Sequence, residues 1–219
     1  MARHRDYIEE ILAKKDRHLR RVDRHEQFRR RVIPLVKGYR YLLSHSSDVD
    51  FRNEWIKYGA IGYIACVEGY FRILFADLIN SGNPYAKNIT AFKDIKITID
   101  DVLALHSRTV SLGEYVAHLL PINGIPDIDN NLSTLLGRDF LSAYRAQPAS
   151  DWVQTPIGDL FPETISEVQA LFQLRHLYCH ELAPKALVKP RKLTSLIGSA
   201  AAFVWHTEEM IQQKILVST

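Results

Sequence analysis

Cysteine is nearly missing from this 219-residue chain: Cys66 and Cys179 are its only two, each in an apolar helical context. Two such residues cannot build a disulfide framework, and no Cys-x-x-Cys pair offers a zinc ribbon. Charge of one sign is also in short supply. With 28 Lys/Arg against 25 Asp/Glu, a net +3, the chain is no globally basic nucleic-acid glove. The sequence has no stretch of about 18 uninterrupted apolar residues. Its best candidate, 59–79, is interrupted by Glu68, Arg72 and Asp77, so a membrane span is not expected. The opening Met1-Ala2-Arg3-His4-Arg5-Asp6 lacks the apolar run of a secretion signal, and the expected compartment is a reducing cytoplasm. Strand alternation, internal repeats and low-complexity tracts are absent. So are the phosphate-cradling Gly-x-x-x-x-Gly-Lys loop, the dinucleotide Gly-x-Gly-x-x-Gly, the Gly-x-Ser-x-Gly elbow and the His-Glu-x-x-His zinc helix.

What remains is an ordinary globular composition, 47% hydrophobic and 24% charged, enough for one substantial core and a single domain over 1–219. The charge is unevenly placed. Residues 1–31 hold eleven Lys/Arg and six Asp/Glu, net +5, and the remainder is net −2. The cluster His18, Arg20, Arg21, Arg24, His25, Arg29, Arg30, Arg31 recurs at three- and four-residue steps with only Phe28 as aromatic interleaving. Such a basic arm suits non-specific attraction to RNA phosphates. A solvated helix face explains the same pattern.

Periodicity predicts helix nearly throughout. Residues 5–43 carry a charged-then-apolar pattern broken or kinked at Pro34, and Ser44 to Asp50 is a loop. Residues 51–80 form the clearest helix, with Ile56, Ala60, Tyr63, Val67, Tyr70, Leu74 and Leu78 on one stripe and Ser81-Gly82-Asn83-Pro84 as its stop. A second stripe of Gly59, Gly62, Cys66 and Gly69 calls for close approach of another helix, in the fold or across a dimer, unless a stable core merely tolerates it. Residues 85–160 read as an insertion between core helices. Two capping boxes, Thr98-x-x-Asp101 and Ser111-x-x-Glu114, start helices over 99–107 and 112–119. A loop follows from Pro121 to Asp129, then a helix over 130–146 and a loop holding Pro148, Trp152 and Pro156. A further helix starts near Pro162 and ends at Pro184, and a last one runs from Thr194 to Leu216. Its Ala200–Trp205 segment should be largely buried.

The chemistry concentrates in Arg175-His176-Leu177-Tyr178-Cys179-His180. Arginine forks two donors onto a phosphate, and histidine exchanges protons near neutral pH. On a regular helix Arg175 and His180 lie about 140° apart, so the pair meets only if the helix loosens near His180 or if two copies face each other. The six residues match Arg, a polar residue (Asn, Asp or His), three variable residues and His. That pattern, with the upstream helix Ala60 to Arg72 carrying Glu68 in an apolar setting, resembles the HEPN domains, all-helical modules found in many metal-independent RNases.

The resemblance implies an all-α, HEPN-like bundle and a homodimeric endoribonuclease, a toxin or effector of bacterial defence or a toxin–antitoxin pair with a cognate antitoxin. His180 would serve as general base on the ribose 2′-hydroxyl or as general acid, Arg175 would stabilise charge on phosphorus, and His176 would hold the phosphate or orient its neighbours. Glu68 would fix the Arg175 rotamer. No cofactor and no metal is implied. Some relatives carry a Tyr two residues after the His, whereas this chain has Leu182. Three other readings stand beside this one. Glu68 can pair with Arg72 on its own helix. Cations at a helix end complement the macrodipole with no catalytic role. His176 and His180, at i,i+4, form half of a zinc site lacking a third ligand. The alternative at the level of function is a non-catalytic helical module binding RNA, nucleotide or a partner protein.

Overall fold

The computed structural model describes residues 7–15, 23–93, 95–107, 110–150, 152–180 and 188–217. These are all-α, with no strand among the described residues and a lone bridge between Pro148 and Pro156. The long N-terminal pattern resolves into two helices, α1 (Tyr7–Lys15) and α2 (Arg24–His45). Asp23 starts α2 by accepting a hydrogen bond from the His25 amide. Pro34 lies inside α2 rather than breaking it: the helix continues on both sides, without the backbone hydrogen bond a proline cannot donate.

The helix α3 (Val49–Asn80) is the centre of the molecule. Asp48 caps it by accepting from the Asp50 and Phe51 amides, so the loop before it shortens to 46–48. All seven residues of its apolar stripe are buried. By length and composition α3 could cross a membrane, yet 61% of its most apolar 18-residue window is buried inside the fold, as suits a central core helix. Gly82, at φ +92°, turns the chain away in the left-handed region after its last turn.

The small-residue stripe has two explanations. A Cβ on Gly59 would lie 3.1 Å from the Tyr39 ring, and one on Gly62 would lie 3.2 Å from Leu35, so these two glycines let α2 approach closely. Gly69 has nothing within 4 Å and is merely tolerated.

The segment 85–160 contains α4 (Tyr85–Asn88), a 3₁₀ turn (Ile89–Ala91), α5 (Ile99–His106), α6 (Leu112–Leu119), α7 (Ile125–Leu136), α8 (Phe140–Ala146) and α9 (Ile157–Leu160). Both capping boxes form reciprocally. The expected 130–146 helix is instead two: Gly137, at φ +65°, closes α7, and Asp139 caps α8. This segment takes part in the core. Val116, Ile128, Leu132, Phe140 and Tyr144 share one buried cluster with α3.

The last two helices are α10 (Thr164–His180) and α11 (Pro190–Val217), with Pro190 at the first helical position. The expected stop at Pro184 lies outside the described residues. In α11, Phe203 is fully buried against Phe71, Phe140 and Tyr144 at 5.6, 6.1 and 5.1 Å between ring centroids. Trp205, expected inside, is 50% exposed: it lies about 140° round the helix from the buried Ala200 and donates to Glu209.

Candidate functional site

Val168, Leu171 and Phe172 form the buried stripe of α10, and Arg175 is the next residue on that stripe. A guanidinium turned towards a core needs a counter-charge. Glu68 of α3 supplies it, with its Oε1 at 3.4 Å from an Arg175 Nη. No hydrogen bond accompanies this ion pair: Glu68 Oε1 is buried with no donor on it among the described residues. Burial pushes the Glu68 carboxyl above its ordinary range, while Arg175 and then Arg72 pull it down.

Arg72 does not close a hydrogen-bonded bridge back to Glu68. Its Nη1 donates to the carbonyls of Ala117 at 2.6 Å and His118 at 3.0 Å, satisfying the C-terminal turn of α6. Burial lowers the Arg72 pKa, and the Glu68 charge acts against that. The His118 ring meets Glu10 of α1 at 3.0 Å and the edge of Tyr7. The N-terminal helix is thus docked on the α6 end that Arg72 holds.

His176 and His180 are both exposed, with ring centroids 4.7 Å apart and planes at 49°. The helix stays regular through His180, so it does not loosen to bring this ring round to Arg175. The four expected residues therefore form two pairs, Glu68 with Arg175 and His176 with His180. Among the described residues no hydrogen bond or ion pair joins the two. Leu182 lies outside the described residues. Cys179 is exposed and free. Cys66 is buried, which raises its thiol pKa against the pull of Arg31. No group of three or more His, Cys, Asp or Glu suited to a metal ion occurs among the described residues.

The basic cluster divides. His18, Arg20 and Arg21 lie outside the described residues. Arg29 and Arg30 are exposed and share the Glu26 carboxylate at 2.7 and 2.8 Å, while His25 meets Trp205 edge-on. Arg24 is not on a solvated face at all. It forks onto Glu208 at 2.7 and 2.9 Å and reaches Asp77 at 2.8 Å, and Tyr70 donates to the same Glu208 at 2.7 Å. Burial alone would lower the Arg24 pKa; Glu208, Tyr70 and Asp77 more than reverse that. Sequence reading missed this network. Its one signal was Glu208, a charge beside Val204, Thr207 and Ile211 on an otherwise buried stretch of α11.

A separate hollow of about 680 Å³ lies between residues 91–93 and 95–98, α6 and α7. Phe92, Tyr115 and Leu120 wall it, Asn130 and Thr134 add polar groups, and Lys93 and Lys96 stand at its edge. Neither Glu68 nor the α10 motif lines it. No protein-family model matches the chain, and no curated protein and no solved structure resembles it at a significant level.

Proposed function

We propose that the protein is a metal-independent endoribonuclease of HEPN type, acting as a homodimer, with a toxin or effector role in bacterial defence or a toxin–antitoxin system. One observation carries this reading. A guanidinium is paired with a half-buried carboxylate on a neighbouring helix, and two imidazoles without a hydrogen bond among the described residues lie within five residues on its own helix. In the proposed step His180 accepts the proton of a ribose 2′-hydroxyl as that oxygen bonds to phosphorus. The bond from phosphorus to the 5′-oxygen breaks, and that oxygen leaves with a proton from a second imidazole. Arg175 offsets the charge that develops on the phosphoryl oxygens. The products are a 2′,3′-cyclic phosphate and a 5′-hydroxyl end. Within one chain Arg175 and His180 are splayed about 140° apart, so the working cleft combines one protomer's arginine with its partner's histidine across a two-fold axis.

RNA cleavage in EDTA by the wild type, beside Arg175→Ala/His180→Ala, tests the reading. The double variant is expected to lose at least about 10²-fold in rate, the smaller share of a general acid–base contribution. A wild type that leaves RNA intact, or cleavage that EDTA abolishes, overturns it. The 680 Å³ hollow supports a second reading, a binding module. It is of small-molecule size, lined by aromatic rings, two ammonium groups and the Asp101 carboxylate. An intact RNA together with saturable nucleotide binding that Lys93→Ala/Lys96→Ala removes would favour that one.

A further inference from the structure

The His176–His180 pair has a property that the nuclease reading does not use. Two imidazoles at i,i+4 project from one face of a helix, and here their ring centroids are 4.7 Å apart. Both rings are exposed, and neither has a hydrogen-bond partner among the described residues. The helix already sets the two side chains one turn apart on the same face, so no backbone ordering is needed to bring both rings to one ion. Imidazole nitrogen suits Zn²⁺, Cu²⁺ and Ni²⁺ and discriminates against Mg²⁺ and Ca²⁺, which take oxygen ligands.

We propose that His176 and His180 form a two-imidazole clamp for a divalent transition-metal ion, and that the bound ion holds the site inactive. Two ligands are fewer than a closed structural site requires, so water completes the coordination. If two motif helices face each other across a two-fold axis, the second copy's pair can supply the remaining positions. An imidazole nitrogen bonded to a metal has no lone pair with which to accept a proton, so the ion and proton transfer exclude each other at His180. The inhibition rests on the nuclease reading above; the binding does not.

The test titrates the apo, full-length protein with ZnCl₂ by calorimetry, and with CuCl₂ while following the visible absorption of the Cu²⁺ site, with no RNA present. Saturable binding at one ion per chain or per two chains is expected, with Cu²⁺ tighter than Zn²⁺. His176→Ala and His180→Ala should each weaken binding at least about tenfold, the lower end of what even an outer-shell partner contributes. Arg175→Ala and Cys179→Ser should leave it unchanged. Both histidines are exposed, so circular dichroism should show each variant folded. Absence of saturable binding, or binding that survives in His176→Ala/His180→Ala, overturns the clamp. In a separate assay Zn²⁺ should suppress RNA cleavage and EDTA should restore it. Binding without suppression overturns the inhibitory role alone, and a wild type inert towards RNA overturns the nuclease reading while the titration stands.

Discussion

Glu68 is a carboxylate whose surroundings pull in opposite directions. Burial raises its pKa, and Arg175 and Arg72 oppose that without reversing it. A carboxyl raised on folding binds its proton more tightly in the native state, so stability falls as pH rises from the unfolded value through the folded one, and is regained in acid. Glu68→Gln removes this titration. Melting temperatures taken from about pH 4 to about pH 8 should lie above wild type at neutral pH and converge with it in acid. A variant less stable at every pH would show that attraction to Arg175 outweighs burial. The Arg24 network gives a second residue-scale expectation. Glu208→Ala leaves a buried guanidinium without its forked partner and should cost about 3–5 kcal/mol in urea unfolding. Tyr70→Phe removes one donor from the same carboxylate and should cost about 1.5–3 kcal/mol.

Among the elements, α6 depends most on its fit to α3. Gly113 donates its amide to Asn80 Oδ1 at 3.0 Å, and a Cβ there would run into the Ala76 carbonyl and stand 2.6 Å from Asn80 Oδ1. Gly113→Ala therefore has to push two helices apart, and a loss of about 1–3 kcal/mol is expected. Gly69, inside α3 with open space where a Cβ would go, should respond oppositely. Gly69→Ala is expected to stabilise by about 0.5–1 kcal/mol, because the helix loses a residue of high backbone entropy. Equal effects at the two sites in chemical unfolding would overturn the close-approach account. Ser111→Ala opens the capping box of α6 and should cost about 1 kcal/mol.

At the scale of the molecule, the basic arm and the dimer make separate claims. Removing residues 1–31 would also remove Arg24 and the buried Phe28, so the truncation that tests RNA attraction must begin at Asp23. That chain keeps the main core and loses α1, whose Ile11 packs in a small cluster with Val110 and Tyr115. It should fold with a lower melting temperature. Its RNA affinity should lose about 0.7 from the log–log salt slope for every phosphate contact removed. An unchanged slope returns the arm to a solvated helix face. The composite cleft is tested by mixing Arg175→Ala and His180→Ala proteins. On the proposed homodimer, mixed dimers would hold one intact arginine–histidine cleft, so cleavage should reappear where each variant alone is inactive. Mixtures as inactive as their components would place the chemistry within single chains.

The sequence by itself determined whatever acts within a turn or two of helix. The stripe of α3, both capping boxes and the stop at Gly82 were legible because their partners lie three or four residues away. The break between α7 and α8 was missed, though Gly137 and Asp139 are local signals, because an apolar pattern runs across both. Only the tertiary structure decided which charges meet between helices. Arg24 reads as one of a basic run, yet its carboxylate partner is 184 positions away in α11. Glu68 had two candidate arginines, and the nearer in sequence, Arg72, went instead to carbonyls 45 and 46 positions on. Periodicity assigns a residue to a helix face, but the charge it meets there depends on which helices pack together, and that follows from the burial of the whole core.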